Sequence, residues 1–155
     1  MHTGNDATAI EAMLREAKNI AMVGVSDKHW RPSYPIGRYL IFHGYHVYPV
    51  NPELHLVFGR YVWPTLEVAG EVAYEETGRG IDLVNVYLAS PLVDELVDEV
   101  IELEIPYLWL QTGIRNDEAI ERAREAGVQC VQDVCIYHEH AARLELRVKR
   151  KHLHV

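Results

Sequence analysis

The sequence predicts a doubly wound α/β fold, a mainly parallel sheet with helices on both faces, and three features predict it. Apolar runs of strand length alternate along the chain with segments of helical periodicity. The runs are apolar at successive positions, which suits strands buried on both faces. Glycine, proline and asparagine stand between the two kinds of segment, where turns are required. Strands alternating with helices build a parallel sheet, because each return crossover needs a helix's length of chain.

The elements follow in order. Ile10, Met13, Leu14 and Ala17 recur at helical spacing after Asp6, a candidate cap. The run from Ile20 to Val25 is the first strand. A helix is expected from Ser33 to His43, with Ser33 as its cap, Pro35 in its first turn and Gly44 after its end. Tyr45 to Val50 is the second strand, stopped by Asn51-Pro52, and Tyr61-Val62-Trp63 is a short third. Glu67 to Gly80, with three glycines and a cluster of glutamates, reads as a short helix plus a mobile loop. Ile81 to Leu88 is the next strand. Ser90 then caps and Pro91 opens a helix whose inner face is Leu92, Val93, Leu96, Val97, Val100 and Ile101. Tyr107 to Leu110 is a strand, Asn116 to Ala126 a helix and Val128 to Val131 the last strand. A final helix from about Cys135 runs into a basic tail, residues 147–155, whose His152 and His154 are expected to be frayed. Residues 1–146 form one domain, of Rossmann-like build.

Composition narrows the function. The 155 residues suffice for one core without a disulfide or metal staple. Cys130 and Cys135 are too few for a disulfide framework and read as cytosolic thiols. No apolar run approaches the roughly 18 residues that span a bilayer, and the polar start Met1–Asp6 does not resemble a signal peptide. A cytoplasmic protein without membrane attachment is expected. The net charge of −8 argues against nucleic-acid binding. The charge is unevenly placed. Residues 18–60 carry Lys18, Lys28, Arg31, Arg38 and Arg60 against Asp27 and Glu53, whereas residues 67–104 carry eleven acids against Arg79. A small anionic ligand would meet the first third of the chain.

In open parallel sheets, ligands bind outside the carboxyl ends of the strands. That rule selects the loops after Val25, Val50, Leu88 and Leu110. The first runs from Gly24 through Ser26, Lys28 and Arg31 to Ser33 and Tyr34. It leads into a helix start, whose unpaired N–H groups and partial positive charge suit phosphate. The three spaced glycines of a dinucleotide fingerprint are absent, as is the glycine-rich lysine loop of nucleoside triphosphatases. At the end of the second strand stands Asn51, where an NAD site usually places an acid for the ribose hydroxyls. An uncharged end tolerates a phosphorylated ribose, as in NADP or coenzyme A.

The order Ile20-Ala21-Met22-Val23-Gly24-Val25-Ser26, Arg31-Pro32-Ser33-Tyr34, Gly44-Tyr45 and Tyr48-Pro49-Val50-Asn51-Pro52 resembles the stand-alone CoA-binding domain family. These are small bacterial and archaeal proteins similar in fold to the CoA-binding domain of the succinyl-CoA synthetase alpha subunit. Val62-Trp63-Pro64-Thr65-Leu66, Leu108-Trp109-Leu110-Gln111-Thr112-Gly113 and Asp133-Val134-Cys135 extend the resemblance over about residues 10–146. It implies a site for coenzyme A or an acyl-CoA. The diphosphate would lie on Gly24, Val25, Ser26 and the helix start near Pro32, Ser33 and Tyr34, neutralised by Lys28 and Arg31. Val50, Asn51 and Pro52 would face the adenine end, and Leu88, Ala89 and Ser90 the opposite wall. Gln111, Thr112 and Gly113 would lie nearer the pantetheine. The chain departs from the family where Phe-Arg-x-Pro is common, carrying Leu88-Ala89-Ser90-Pro91 and one cation fewer.

Other constellations are weaker. Cys130, Cys135, His138 and His140 lack the spacing of a zinc finger, and no metal is expected. Cys135 and His140 are five apart and do not share a helix face, so no catalytic pair is assigned. Tyr39, Phe42, Trp63 and Trp109 read as core or as an interface between copies, which leaves a homo-oligomer open; Trp30 is expected to be exposed. The leading reading is a binding module for coenzyme A or an acyl-CoA, without an assigned catalytic role. The alternative is an enzyme, an NAD(P)-linked oxidoreductase or a CoA-transfer or ligase-like activity.

Overall fold

A computed structural model describes residues 5–153. The chain runs α1 (Ala7–Glu16), β1 (Asn19–Val23), α2 (Ser33–Phe42), β2 (His46–Val50), β3 (Leu56–Val57), β4 (Arg60–Tyr61), α3 (Leu66–Thr77), β5 (Leu83–Val86), a 3-10 turn (Ser90–Leu92), α4 (Val93–Glu102), β6 (Tyr107–Leu110), α5 (Asp117–Glu125), β7 (Gln129–Val131) and α6 (Ile136–Leu153). Five strands form one parallel sheet in the order β2-β1-β5-β6-β7. Trp63 makes a single parallel bridge to Val50 outside β2. That bridge is the rudiment of a sixth strand and gives the edge a Rossmann-like order. The expected strand at Tyr61-Val62-Trp63 is therefore split: Tyr61 closes the small antiparallel β3–β4 hairpin, and Trp63 joins the main sheet.

The successive apolar residues of each strand serve two cores. In β1, Ala21 and Val23 face a cluster with Leu66, Ala69, Val97 and Ile120 from α3, α4 and α5. Ile20 and Met22 face the other cluster, with Met13, Leu40, Trp109 and Ile136. Every residue of β1 is buried, which is why its pattern shows no alternation. Trp109 is fully enclosed, its indole N–H donating to the Val134 carbonyl at 2.9 Å. Phe42, expected in a core or interface, is 84% exposed at the end of α2 and so lies outside the core.

Several helix boundaries differ from expectation. Asp6 and Asn116 cap α1 and α5, their side chains accepting backbone N–H groups of the first turn. Ser33 does not cap α2. Pro32 holds the cap position in helical conformation, and Ser33 is the first helical residue. Ser90 begins the 3-10 turn rather than capping a helix, and its hydroxyl accepts from the Arg115 N–H at 3.3 Å. The segment expected to be part loop is a regular helix, α3. Thr65 caps it, and Gly78 ends it at φ +81°. Gly70 costs about 1 kcal/mol in a helix interior relative to alanine, but Leu66, Ala69 and Ala73 bury one face against the sheet. The Asn19 side chain then donates to the carbonyls of Arg79 and Gly80, fixing the turn into β5. The segment expected as a frayed basic tail continues α6 through His152 to Leu153; His154 lies outside the described residues. No described helix is long and apolar enough to cross a membrane.

Candidate functional site

Strand order reverses between β1 and β5, since β2 lies on one side of β1 and β5 to β7 on the other. The connections leaving these two strands diverge, and a groove opens above them. Gly24 sits at the fork. Its φ is +87°, and its N–H donates to the Val50 carbonyl. A methyl group placed there would stand 2.9 Å from Leu88 Cδ2 and 3.1 Å from the Tyr87 carbonyl carbon and oxygen. Glycine is thus required by the approach of the two loops as well as by the backbone angle.

The larger part of the groove is a cleft of about 730 Å³. Gly24, Val25, Ser26, Lys28, Arg31, Pro32 and Ser33 form one wall, Asn51, Glu53 and Leu54 a second, and Tyr87, Gln111, Thr112, Ile114, Cys135 and His138 the third. The smaller part, about 280 Å³, lies between Val50, Asn51, Pro52 and Pro64 on one side and Leu88, Leu92, Glu95 and Glu99 on the other. Gly24 and Asn51 belong to both parts, so they adjoin at the strand ends.

The loop after β1 is held by its own polar groups. The Ser26 N–H donates to Ser33 Oγ at 2.9 Å, and the Lys28 N–H donates to Ser26 Oγ at 3.1 Å. Asn51 donates its amide to the Val25 carbonyl and accepts from the Glu53 N–H, tying the loop after β2 to the loop after β1. The N–H groups of Val25, Asp27 and Ser33 have no hydrogen-bond partner among the described residues. All three residues line the larger cleft beside the α2 start, where N–H groups without partners suit phosphate oxygens. Lys28 and Arg31 are exposed beside it, and Lys28 Nζ stands 5.9 Å from the Trp30 ring centre. Trp30 itself is 77% exposed, as expected.

The two serines therefore have different work. Ser33 is buried, and its hydroxyl satisfies a backbone donor. Ser33→Ala should destabilise the unliganded protein by about 1–2 kcal/mol through the orphaned Ser26 N–H. Ser26→Ala loses a bond to an exposed N–H that water can replace, and should cost well under about 1 kcal/mol. Paired urea denaturation curves check this; equal losses in the two variants would contradict the assignment.

The third wall carries an unsatisfied group. The Tyr87 hydroxyl is buried without a hydrogen-bond partner, and burial together with neighbouring Cys135 pushes its pKa well up. It remains a protonated donor without a partner beside the cleft. Gln111 is committed to the fold: its Oε1 accepts from Asn85 Nδ2 and from the Ile136 N–H at the start of α6.

Of the sequence-selected residues, the groove brings together Gly24, Val25, Ser26, Lys28, Arg31, Pro32, Ser33, Val50, Asn51, Pro52, Leu88, Gln111 and Thr112. Four stand outside its walls. Tyr34 stacks on His29 at 4.2 Å and faces the Phe58 side of α2. Ala89 is exposed, Ser90 fastens the residues leading into α5, and the Gly113 N–H donates to Asp133. Sequence reasoning missed Tyr87, Ile114, Cys135, His138 and the acids Glu95 and Glu99. Tyr87 follows an apolar run directly and Ile114 stands in the loop after β6, so both were accessible to the strand-end rule; Glu95 and Glu99 arrive with α4, and Cys135 and His138 with the start of α6.

Two charge expectations are revised. The cations of residues 18–60 do not converge on the groove: Lys28 and Arg31 line it, but so do Asp27 and Glu53. Lys18 lies at the opposite end of β1, and Arg38 and Arg60 stand elsewhere. Glu99, in the smaller cleft, has its pKa raised by burial and by Glu95, Glu102 and Glu67. The C-terminal thiols and imidazoles are dispersed. Cys130 is buried in β7, its pKa pushed up to about 12 by burial. Cys135 lines the groove, whereas His140 Nδ1 is 2.7 Å from the Tyr39 hydroxyl on another side of α6. No group of three or more potential metal ligands is gathered among the described residues.

A Rossmann-like sheet with a ligand groove at its switch point and a phosphate-competent loop after its first strand defines a domain of the nucleotide-cofactor-binding class. Within that class the comparison is specific: residues 18–141 match the CoA binding domain family, and the chain belongs to it. It is 32% identical over 132 residues to the uncharacterized protein YneT of Bacillus subtilis, covering 85% of this chain and 92% of that one. A hypothetical protein from Pyrococcus horikoshii superposes with a TM-score of 0.79 at 33% identity, covering 91% of this chain and 94% of its own. A Thermus thermophilus protein superposes with a TM-score of 0.76 at 30% identity, covering 89% and 98%.

Proposed function

We propose that the groove binds coenzyme A or an acyl-CoA and that the protein acts as a cytoplasmic binding module for it. The observation that carries this reading is the form of the groove: a phosphate cradle at its centre with an unequal cleft on each side. A diphosphate would occupy the Val25, Asp27 and Ser33 N–H groups, with Lys28 and Arg31 supplying charge. The adenine would enter the smaller cleft between Pro52 and Leu88, its exocyclic amine directed to the carboxylates of Glu95 and Glu99. The pantetheine arm would follow the larger cleft toward Thr112 and Cys135, where the Tyr87 hydroxyl can donate to an amide carbonyl. The larger cleft alone falls within the roughly 300–1,000 Å³ typical of small-molecule sites.

NAD is the competitor to exclude, because Glu53 stands at the groove and can reach toward ribose hydroxyls. Asn51 occupies the usual acid position but is consumed by the Val25 and Glu53 bonds. Calorimetry with CoA, acetyl-CoA, NAD and NADP in parallel tests the reading. CoA or acetyl-CoA should bind more tightly than NAD by about tenfold or more, one kcal/mol-scale contact being sufficient. Tighter binding of NAD would overturn it.

A further inference from the structure

We infer a second anion-binding site, at the end of the molecule opposite the groove. A cleft of about 700 Å³ opens there between α1, the C-terminal end of α2 and the second half of α6. Its cations are Arg15, Lys18, Arg143, Arg147 and Arg150, and Glu11 is the one acid among its lining residues. In a chain of net charge −8 this is a concentrated reversal of sign. Some of the charge is spent within the fold. Arg15 is 3.7 Å from Glu16, and Arg143 is 3.4 Å from Glu139. Lys18, Arg147 and Arg150 form no ion pair among the described residues, so positive charge exceeds what Glu11 offsets.

The cleft floor is polar and built. Tyr45 is buried and donates to the Leu14 carbonyl at 2.5 Å, and His140 is buried against the Tyr39 hydroxyl. Arg147 lines the same cleft as Tyr45 and His140. The residues come from three separate parts of the chain and meet only in the fold. The continuous course of α6 through residue 153 holds Arg147 and Arg150 at the cleft.

Guanidinium groups around a concave polar floor recognise a compact polyanion, a phosphoryl or polycarboxylate group with two or more negative charges. Concavity favours a small molecule over nucleic acid, whose phosphates would need an extended basic face. This site shares no lining residue with the groove proposed for CoA, and it stands or falls independently.

The test is amide chemical-shift mapping at low ionic strength with sodium pyrophosphate and, separately, citrate, each without CoA. Shifts should appear at residues 17–18, 44–45 and 143–150, and the affinity should fall about tenfold or more in a Lys18→Gln, Arg147→Gln double variant, two charge-assisted contacts being lost. CoA binding and melting temperature should be unchanged in that variant. Stronger binding of pyrophosphate identifies a phosphoryl ligand and stronger binding of citrate a polycarboxylate; either upholds the site. Shifts confined to residues 24–33, an undiminished affinity in the double variant, or tighter binding of a short oligonucleotide than of either anion would overturn it.

Discussion

Gly24→Ala should lower the stability of the unliganded protein by about 2–4 kcal/mol. A side chain at φ +87° incurs about 1–2 kcal/mol of backbone strain. Overpacking adds about 1–3 kcal/mol, because the new methyl would press on Leu88 Cδ2 and on the main chain of Tyr87. Leu88 can rotate, but the Tyr87 carbonyl cannot easily retreat: the Tyr87 N–H is bonded to the Val23 carbonyl at the end of β1. The strain would therefore spread β1 from β5 at the fork where the two halves of the groove meet. For a domain of this size each kcal/mol shifts the melting temperature by roughly 2–4 °C, so calorimetry should show a fall of roughly 5–15 °C. CoA affinity should fall with it. A stability loss below about 1 kcal/mol would show that the loops separate freely and that the close approach does not shape the site.

The largest effect on binding should come from Lys28→Ala combined with Arg31→Ala. Both side chains are exposed in the unliganded protein and make no ion pair among the described residues. Their removal should leave the melting temperature nearly unchanged. A charge-assisted bond to phosphate contributes about 1.5–3 kcal/mol, and solvent screening reduces this at exposed positions. Together the two changes should weaken CoA by about 10- to 100-fold at low salt, with Arg31→Ala alone giving a smaller loss. The difference from wild type should narrow as ionic strength rises and the Debye length shortens. Titrations at two salt concentrations measure this directly. An unchanged affinity at low salt would remove both cations from the phosphate site, leaving the backbone cradle to act alone.

The reach of the sequence can be judged element by element. Ile20–Val25 and Ile81–Leu88 are legible as buried parallel strands because consecutive apolar residues have few other destinations in a polar chain. Asp6 is legible as a cap because its side chain acts on N–H groups two or three residues away, and the start of α5 at Asn116 is legible from the acids that follow it. The strand-end rule then selects the loops at Gly24, Asn51, Leu88 and Gln111 without any knowledge of contacts. Ser33 and Ser90 were misread as caps because each hydroxyl is taken by a backbone donor from another segment. The α3 helix was undervalued because Gly70 is a local cost, whereas the compensating burial of Leu66, Ala69 and Ala73 is tertiary.

The sequence by itself determined the fold class, the family and the strand-end loops that line the groove, since each rests on local order along the chain. The tertiary structure decided where charge and chemistry gather. It divided the basic residues of the first third between two ends of the sheet, brought Glu95 and Glu99 to the smaller cleft, and placed Cys135 in the groove while turning His140 away. It also made the basic end of α6 part of a cleft wall. Electrostatic and hydrogen-bonding effects fall off within a few ångströms to a Debye length, so they depend on spatial neighbours. Those neighbours come from segments more than a hundred residues apart, and only the packed sheet and helices decide which of them meet.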